Sequence, residues 1–134
     1  MSQQFLGDAQ DLAAGVVINT TTETTGPTTN PLPLPFQTGK FRVLAVCFIA
    51  TGTGVTAVQL RIRRNPNAEN VTVNGTVSNV ITPASTVVQV NIGVVDPISD
   101  GRPCSYAVTV TQVGATGNGT FLAGSHIEAV AMSG

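Results

Sequence analysis

From residue 40 onward the chain repeatedly sets apolar, mostly β-branched residues at alternate positions, and no stretch of this body carries helical spacing. Alternation of this kind marks strands, because successive side chains point to opposite faces of a sheet. Val58, Leu60 and Ile62 alternate with Gln59, Arg61 and Arg63, and Val88, Val90, Ile92 and Val94 alternate with Val87, Gln89 and Asn91. Val108 and Val110 likewise face away from Thr109 and Thr111. Between the runs lie Gly52-Thr53-Gly54, Asn65-Pro66-Asn67, Asn74-Gly75, Thr82-Pro83 and Asp100-Gly101, all of them turn chemistry. About eight strands separated in this way predict an all-β fold, an antiparallel β-sandwich of jelly-roll type. An immunoglobulin-like sandwich fits less well. There is no Trp to pack beneath a bridge between Cys47 and Cys104, and no Tyr two residues before the second Cys.

The first 37 residues read differently and predict an N-terminal arm ahead of a sandwich domain over residues 38–134. Residues 1–15 carry a faint helical pattern, too short to hold as an isolated helix, and residues 15–21 form a plausible first strand. Residues 20–35 are rich in Thr and Pro. Proline removes backbone donors and favours extended chain, so this segment cannot be an inner strand and must link or drape over a neighbour.

The run over residues 40–51 is apolar on both faces. Phe41, Val43, Ala45, Cys47 and Ile49 share one side, and Leu44, Val46 and Phe48 follow Arg42 on the other. A strand of a two-layer antiparallel fold has one wet face, so the second must meet the arm, another layer or another subunit. Arg61, Arg63 and Arg64 are half of the 6 basic residues and lie on one short stretch. Such a cluster is a solvated face, a guard against edge pairing, or a partner for carboxylates on a neighbour.

Charge decides what such a protein does not attract. With 6 basic and 7 acidic residues there is no long-range field for nucleic acid or an anionic membrane, and neither is an expected partner. No apolar run is long enough to span a bilayer as a helix, and the first residues lack a basic region followed by a hydrophobic stretch, so no secretion signal is expected. Only 10% of the residues are charged. The surface must then be built of Thr, Ser, Asn, Gln and Gly, which suits a subunit that hides much of its outside against other chains. Cys47 and Cys104 can bond only if the fold brings them together, and free buried thiols are the favoured reading.

Candidate chemistry is sparse. His126 and Glu128 lie two apart on one strand face, a spacing at which two ligands can share a metal, but two ligands do not make a closed site, and a hydrogen-bonded interface pair is the expectation. Ser125, His126 and Asp96 or Asp100 lack any nucleophile turn. The run Gly114-Ala115-Thr116-Gly117-Asn118-Gly119 sits between strands, without a helix N-terminus to cradle phosphate. Neither an enzyme nor a cofactor is expected.

The strands of residues 106–113 and 126–132 read as an antiparallel closing pair. Pro103-Cys104-Ser105-Tyr106-Ala107-Val108-Thr109-Val110-Thr111, the small-residue loop and Gly124-Ser125-His126-Ile127-Glu128-Ala129-Val130 resemble the C-terminal strands of small trimeric jelly rolls of the tumour-necrosis-factor and complement-globular-head type. Similar ends recur in phage and virus virion proteins. The resemblance implies a virion structural protein at the capsid surface, a decoration or cementing protein or a small coat component. It would be a homo-oligomer, a trimer, in contact with a major capsid or other virion protein. The interface candidates are Phe41, Val43, Leu44, Val46 and Phe48, with Arg61, Arg63, His126 and Glu128. The alternative is a carbohydrate- or receptor-binding module, which would want exposed aromatic platforms, and the chain offers one Tyr and five Phe.

Overall fold

The computed structural model describes residues 7–20, 22–32, 40–67, 70–73, 78–97 and 104–132, and the strands counted are those found among them. There are eleven: β1 (Gly7–Asp11), β2 (Val16–Ile18), β3 (Thr24–Thr28), β4 (Lys40–Ala50), β5 (Ala57–Arg64), β6 (Val71–Thr72), β7 (Ser78–Ile81), β8 (Val87–Pro97), β9 (Tyr106–Val113), β10 (Gly119–Phe121) and β11 (His126–Ala131). They form two antiparallel sheets. In the front sheet β4 is central, with β8 along one side and β11 followed by β10 along the other; β1 then flanks β11, and β2 flanks β10. The back sheet runs β3, β9, β5, with β6 and β7 sharing the far side of β5. This is the expected all-β sandwich of jelly-roll type, with more and shorter strands than the alternation alone resolves.

The core lies where the two sheets turn their period-two apolar sides together. Phe41, Val43, Cys47 and Ile49 of β4 meet Val58, Leu60 and Ile62 of β5 and Val108 and Val110 of β9, all fully buried. Polar residues close the sandwich at both ends of β9. At one end, Arg64 Nη1 donates to both carboxylate oxygens of Asp96, at 2.7 and 2.8 Å, and Tyr106 Oη donates to Asp96 Oδ2 at 2.7 Å. Arg64 faces Tyr106 in the back sheet and Phe41 faces Asp96 in the front sheet, so the cluster ties one sheet to the other. The Phe41 and Tyr106 rings meet edge to face across the gap, with centroids 5.9 Å apart. At the far end, buried Gln112 accepts from Gly52 N at 2.8 Å and donates to Ile18 O at 3.5 Å.

Two expectations change. Within its described residues the N-terminal segment is no free arm: β1 pairs with β11, β2 with β10 and β3 with β9, so it supplies strands to both sheets. Neither Gly7–Asp11 nor Val16–Ile18 is long enough to stand alone, and each is held by a ladder to a distant part of the chain. The proline argument does hold for β3, an edge strand whose register shifts between Thr25 and Thr28, around Gly26 and Pro27. The second change concerns β9 and β11, which lie in opposite sheets and do not pair with each other. The glycine-rich connection after β9 crosses between layers. Its Thr116 N and Gly117 N donate to Thr53 O, at 2.8 and 3.3 Å, and a Cβ on Gly52 would stand 2.1 Å from Gly117 O. Two loops thus dock backbone to backbone, which only glycine permits. The Asn74-Gly75 and Asp100-Gly101 turns lie outside the described residues.

Candidate assembly surface

The outer face of the front sheet can be read off its register, since residues paired across an antiparallel ladder share a face. Phe48 of β4 stands beside Gln89 of β8; Val46 lies in a row with Asn91, His126 and Asp11; Leu44 lies with Gly93 and Glu128; Arg42 lies with Val95 and Val130. At the opposite corner Ala50 lies between Val87 and Thr120, and Thr120 faces Val17. Hydrophobic side chains crowd this face. Val87 is 63% exposed, Val17 57%, Val95 44% and Leu44 37%, while Val46 and Phe48 are half-buried.

Of the expected interface residues, Leu44, Val46, Phe48, His126 and Glu128 are brought together here. Phe41 and Val43 are corrected: both are fully buried between the sheets and offer no surface to a partner. The cause is strand parity, because odd-numbered positions of β4 point into the core. Sequence reasoning missed Val17 and the two exposed valines of β8, Val87 and Val95. Their signal was present in the alternation, which set Val87 on the polar side of its strand.

His126 is held between two carboxylates. Its Nδ1 lies 2.5 Å from Asp11 Oδ1 and its Nε2 lies 3.6 Å from Glu128 Oε2. The hydrogen bond to Asp11 raises the imidazole pKa above its ordinary value against a smaller opposing effect of burial, with Glu128 adding to the rise. Because the carboxylates occupy opposite nitrogens of one ring, they diverge rather than converge on a common point. Among the described residues no group of three His, Cys, Asp or Glu is placed to hold a metal ion. Ser125 is committed elsewhere. Its hydroxyl accepts from Phe48 N at 2.9 Å and donates to Leu122 O at 2.9 Å, while Asp96 is bound in the core to Arg64 and Tyr106.

Arg61 and Arg63 lie on the other sheet. Arg63 grips Glu23 with two nitrogens, Nε at 2.8 Å and Nη2 at 2.7 Å, and its Nη1 reaches Thr72 Oγ1 and Asn70 O. Arg61 lies 3.9 Å from the same carboxylate. The hydrogen bond from Arg63 holds the Glu23 carboxyl below its ordinary pKa. These arginines therefore meet an acid of their own chain, one that anchors the start of β3 across β9 and β5.

No protein-family model matches the sequence, and no curated protein matches it. Solved structures do resemble the fold. The Eiger TNF of S. frugiperda superposes with a TM-score of 0.62 at 9% identity, over 98% of this chain and 94% of the other. A chain of infectious bursal disease virus, Gx strain, gives 0.64 at 11% identity over 99% of this chain, and one of the Gt strain gives 0.55 at 11% over 93%. This chain spans 33% and 32% of the lengths of those viral chains. At such identities the likeness is one of architecture: the chain is a jelly-roll β-sandwich.

Proposed function

We propose that the protein is a structural component of a virion, a small coat or capsid-decoration subunit. It acts by burying surface against copies of itself and against a larger shell protein. The observation that carries this reading is the apolar outer face of the front sheet, where Val17, Leu44, Val46, Phe48, Val87 and Val95 stay accessible in a chain with few charges. The fold it shares with a chain of infectious bursal disease virus supports the same reading. Self-association into a trimer would cover the strip, with apolar burial contributing about 25 cal/mol per Å². His126, Asp11 and Glu128 would form a polar patch within the contact.

A sugar- or receptor-binding module gains no support from the described aromatic residues. Tyr106, Phe41 and Phe121 are all fully buried, leaving Phe48 as the accessible ring. Sedimentation velocity tests the proposal. The wild-type chain is expected to sediment as an oligomer, and Phe48→Lys, which sets a charge in the middle of the strip, is expected to shift it toward monomer while leaving the β-sheet circular dichroism unchanged. A wild-type chain that stays monomeric at all accessible concentrations would overturn the reading.

A further inference from the structure

The sheet edges differ sharply in how they are protected. β1 is five residues long with two aspartates, β2 has three residues, β3 carries a proline at its register shift, and β6 and β7 have two and four residues. Short, charged or interrupted edges are the usual defences against strand addition. Over residues 87–95, β8 has none of them. It runs eleven residues, pairs with β4 at every position without a register shift, and among the described residues pairs with no other strand. Residues 87–95 carry no charge and no proline; Asp96, the first acid, is turned inward onto Arg64, and Pro97 ends the strand.

The sequence of that edge also reads nearly the same in both directions about Asn91: Val87 mirrors Val95, Val88 mirrors Val94, Val90 mirrors Ile92 and Gln89 mirrors Gly93. A two-fold axis perpendicular to a sheet preserves its faces, so in a symmetric antiparallel pairing odd-numbered residues must oppose odd-numbered ones. Centred on Asn91, the pairing uses all nine uncharged residues. It sets the exposed Val87 against Val95 of the second copy on the outer face, and half-buried Val88 against Val94 on the inner. Centred one residue later, it would set Asp96, which is held by Arg64, against Val88.

We infer that β8 is a self-pairing edge: two copies join β8 to β8, antiparallel about Asn91, and fuse their front sheets into one continuous sheet. The partner is a second copy of this chain, on three grounds: the edge is self-complementary in sequence, it lacks charges that would repel an identical strand, and it is unguarded. This contact is separate from the face contact proposed above, and it stands or falls independently. A subunit with both contacts could extend an assembly in two directions.

Cysteine cross-linking reads the register directly. The native Cys47 and Cys104 are both fully buried and out of reach of a second chain, so the wild-type chain supplies the uncross-linked control. Under mild oxidation Asn91→Cys is expected to give a disulfide dimer on non-reducing gels. Val87→Cys and Val95→Cys are expected to cross-link when mixed and not when either is oxidised alone. Asn91→Lys, placing like charges across the axis at an exposed position, is expected to abolish the edge dimer with the fold intact. Because Phe48 lies on the face and not at this edge, the Asn91→Cys cross-link is expected to survive in the Phe48→Lys background. Absence of the Asn91→Cys dimer, or equal self-cross-linking by Val87→Cys and Val95→Cys, overturns the inference. If the edge instead takes an extended segment of another protein, these variants stay uncross-linked, and that outcome overturns it as well.

Discussion

Single residues decide how the two layers are joined. Asp96 is buried and satisfies both Arg64 and Tyr106, so its loss strands a cation and a hydroxyl in the interior. Asp96→Ala is expected to destabilise the fold by about 3 kcal/mol or more, and Tyr106→Phe, which leaves the ion pair intact, by about 1 kcal/mol; urea unfolding midpoints would rank the two. His126 gives a pH dependence. Its pKa is raised on folding, first by the hydrogen bond with Asp11. Its stabilising contribution is therefore complete below the ordinary histidine pKa and is lost as pH rises through the higher folded value. An NMR titration should place the imidazole above its unperturbed value, and Asp11→Asn should move it back. None of the distances behind these predictions was legible in the sequence. That His126 belongs with a carboxylate was expected, with Glu128 as the named partner, but the closer one is Asp11, brought alongside from the other end of the chain by pairing of β1 with β11.

At the scale of elements, the strongly alternating strands stand where the pattern set them. Residues 106–113 are β9, β4 and β11 begin and end within about two residues of the expected bounds, and the alternating runs 58–63 and 87–94 lie inside β5 and β8. These strands are legible because each carries a full period-two stripe of core residues. The strand Gly7–Asp11 was not legible as one. Its sequence Gly-Asp-Ala-Gln-Asp has no stripe, and only the free side of β11 makes it a strand. β3 shows how closely a weak element can nonetheless be fitted. At Gly26 a Cβ would lie 2.5 Å from the ring of Phe121, so this edge is packed tightly against the tip of that ring. Gly26→Ala is expected to cost about 1–3 kcal/mol through overpacking, and a second change, Phe121→Leu, is expected to recover part of it. Thermal unfolding of the single and double variants would measure the coupling.

For the molecule as a whole, the two thiols report whether the sandwich opens as one unit. Cys47 lies fully buried with its pKa pushed up to about 12 by burial, and Cys104, equally buried, holds a backbone bridge to Leu32. Neither is expected to react with alkylating reagents in the folded state, and both should become reactive at the common rate of global unfolding. Mass spectrometry of partly alkylated protein would show the two sites labelled together, whereas labelling of one alone would reveal a local opening. By itself the sequence determined the class of fold, the placement of its long strands and the surplus of apolar surface, because alternation and turn chemistry are local and recur along the chain. Tertiary structure alone decided which face of β4 is core, that β1, β2 and β3 belong to the sandwich, that β9 and β11 part into different sheets, and that β8 pairs with no second strand among the described residues. Those outcomes depend on pairings between residues far apart in the chain, and no local pattern of side chains states which distant strand will supply the ladder.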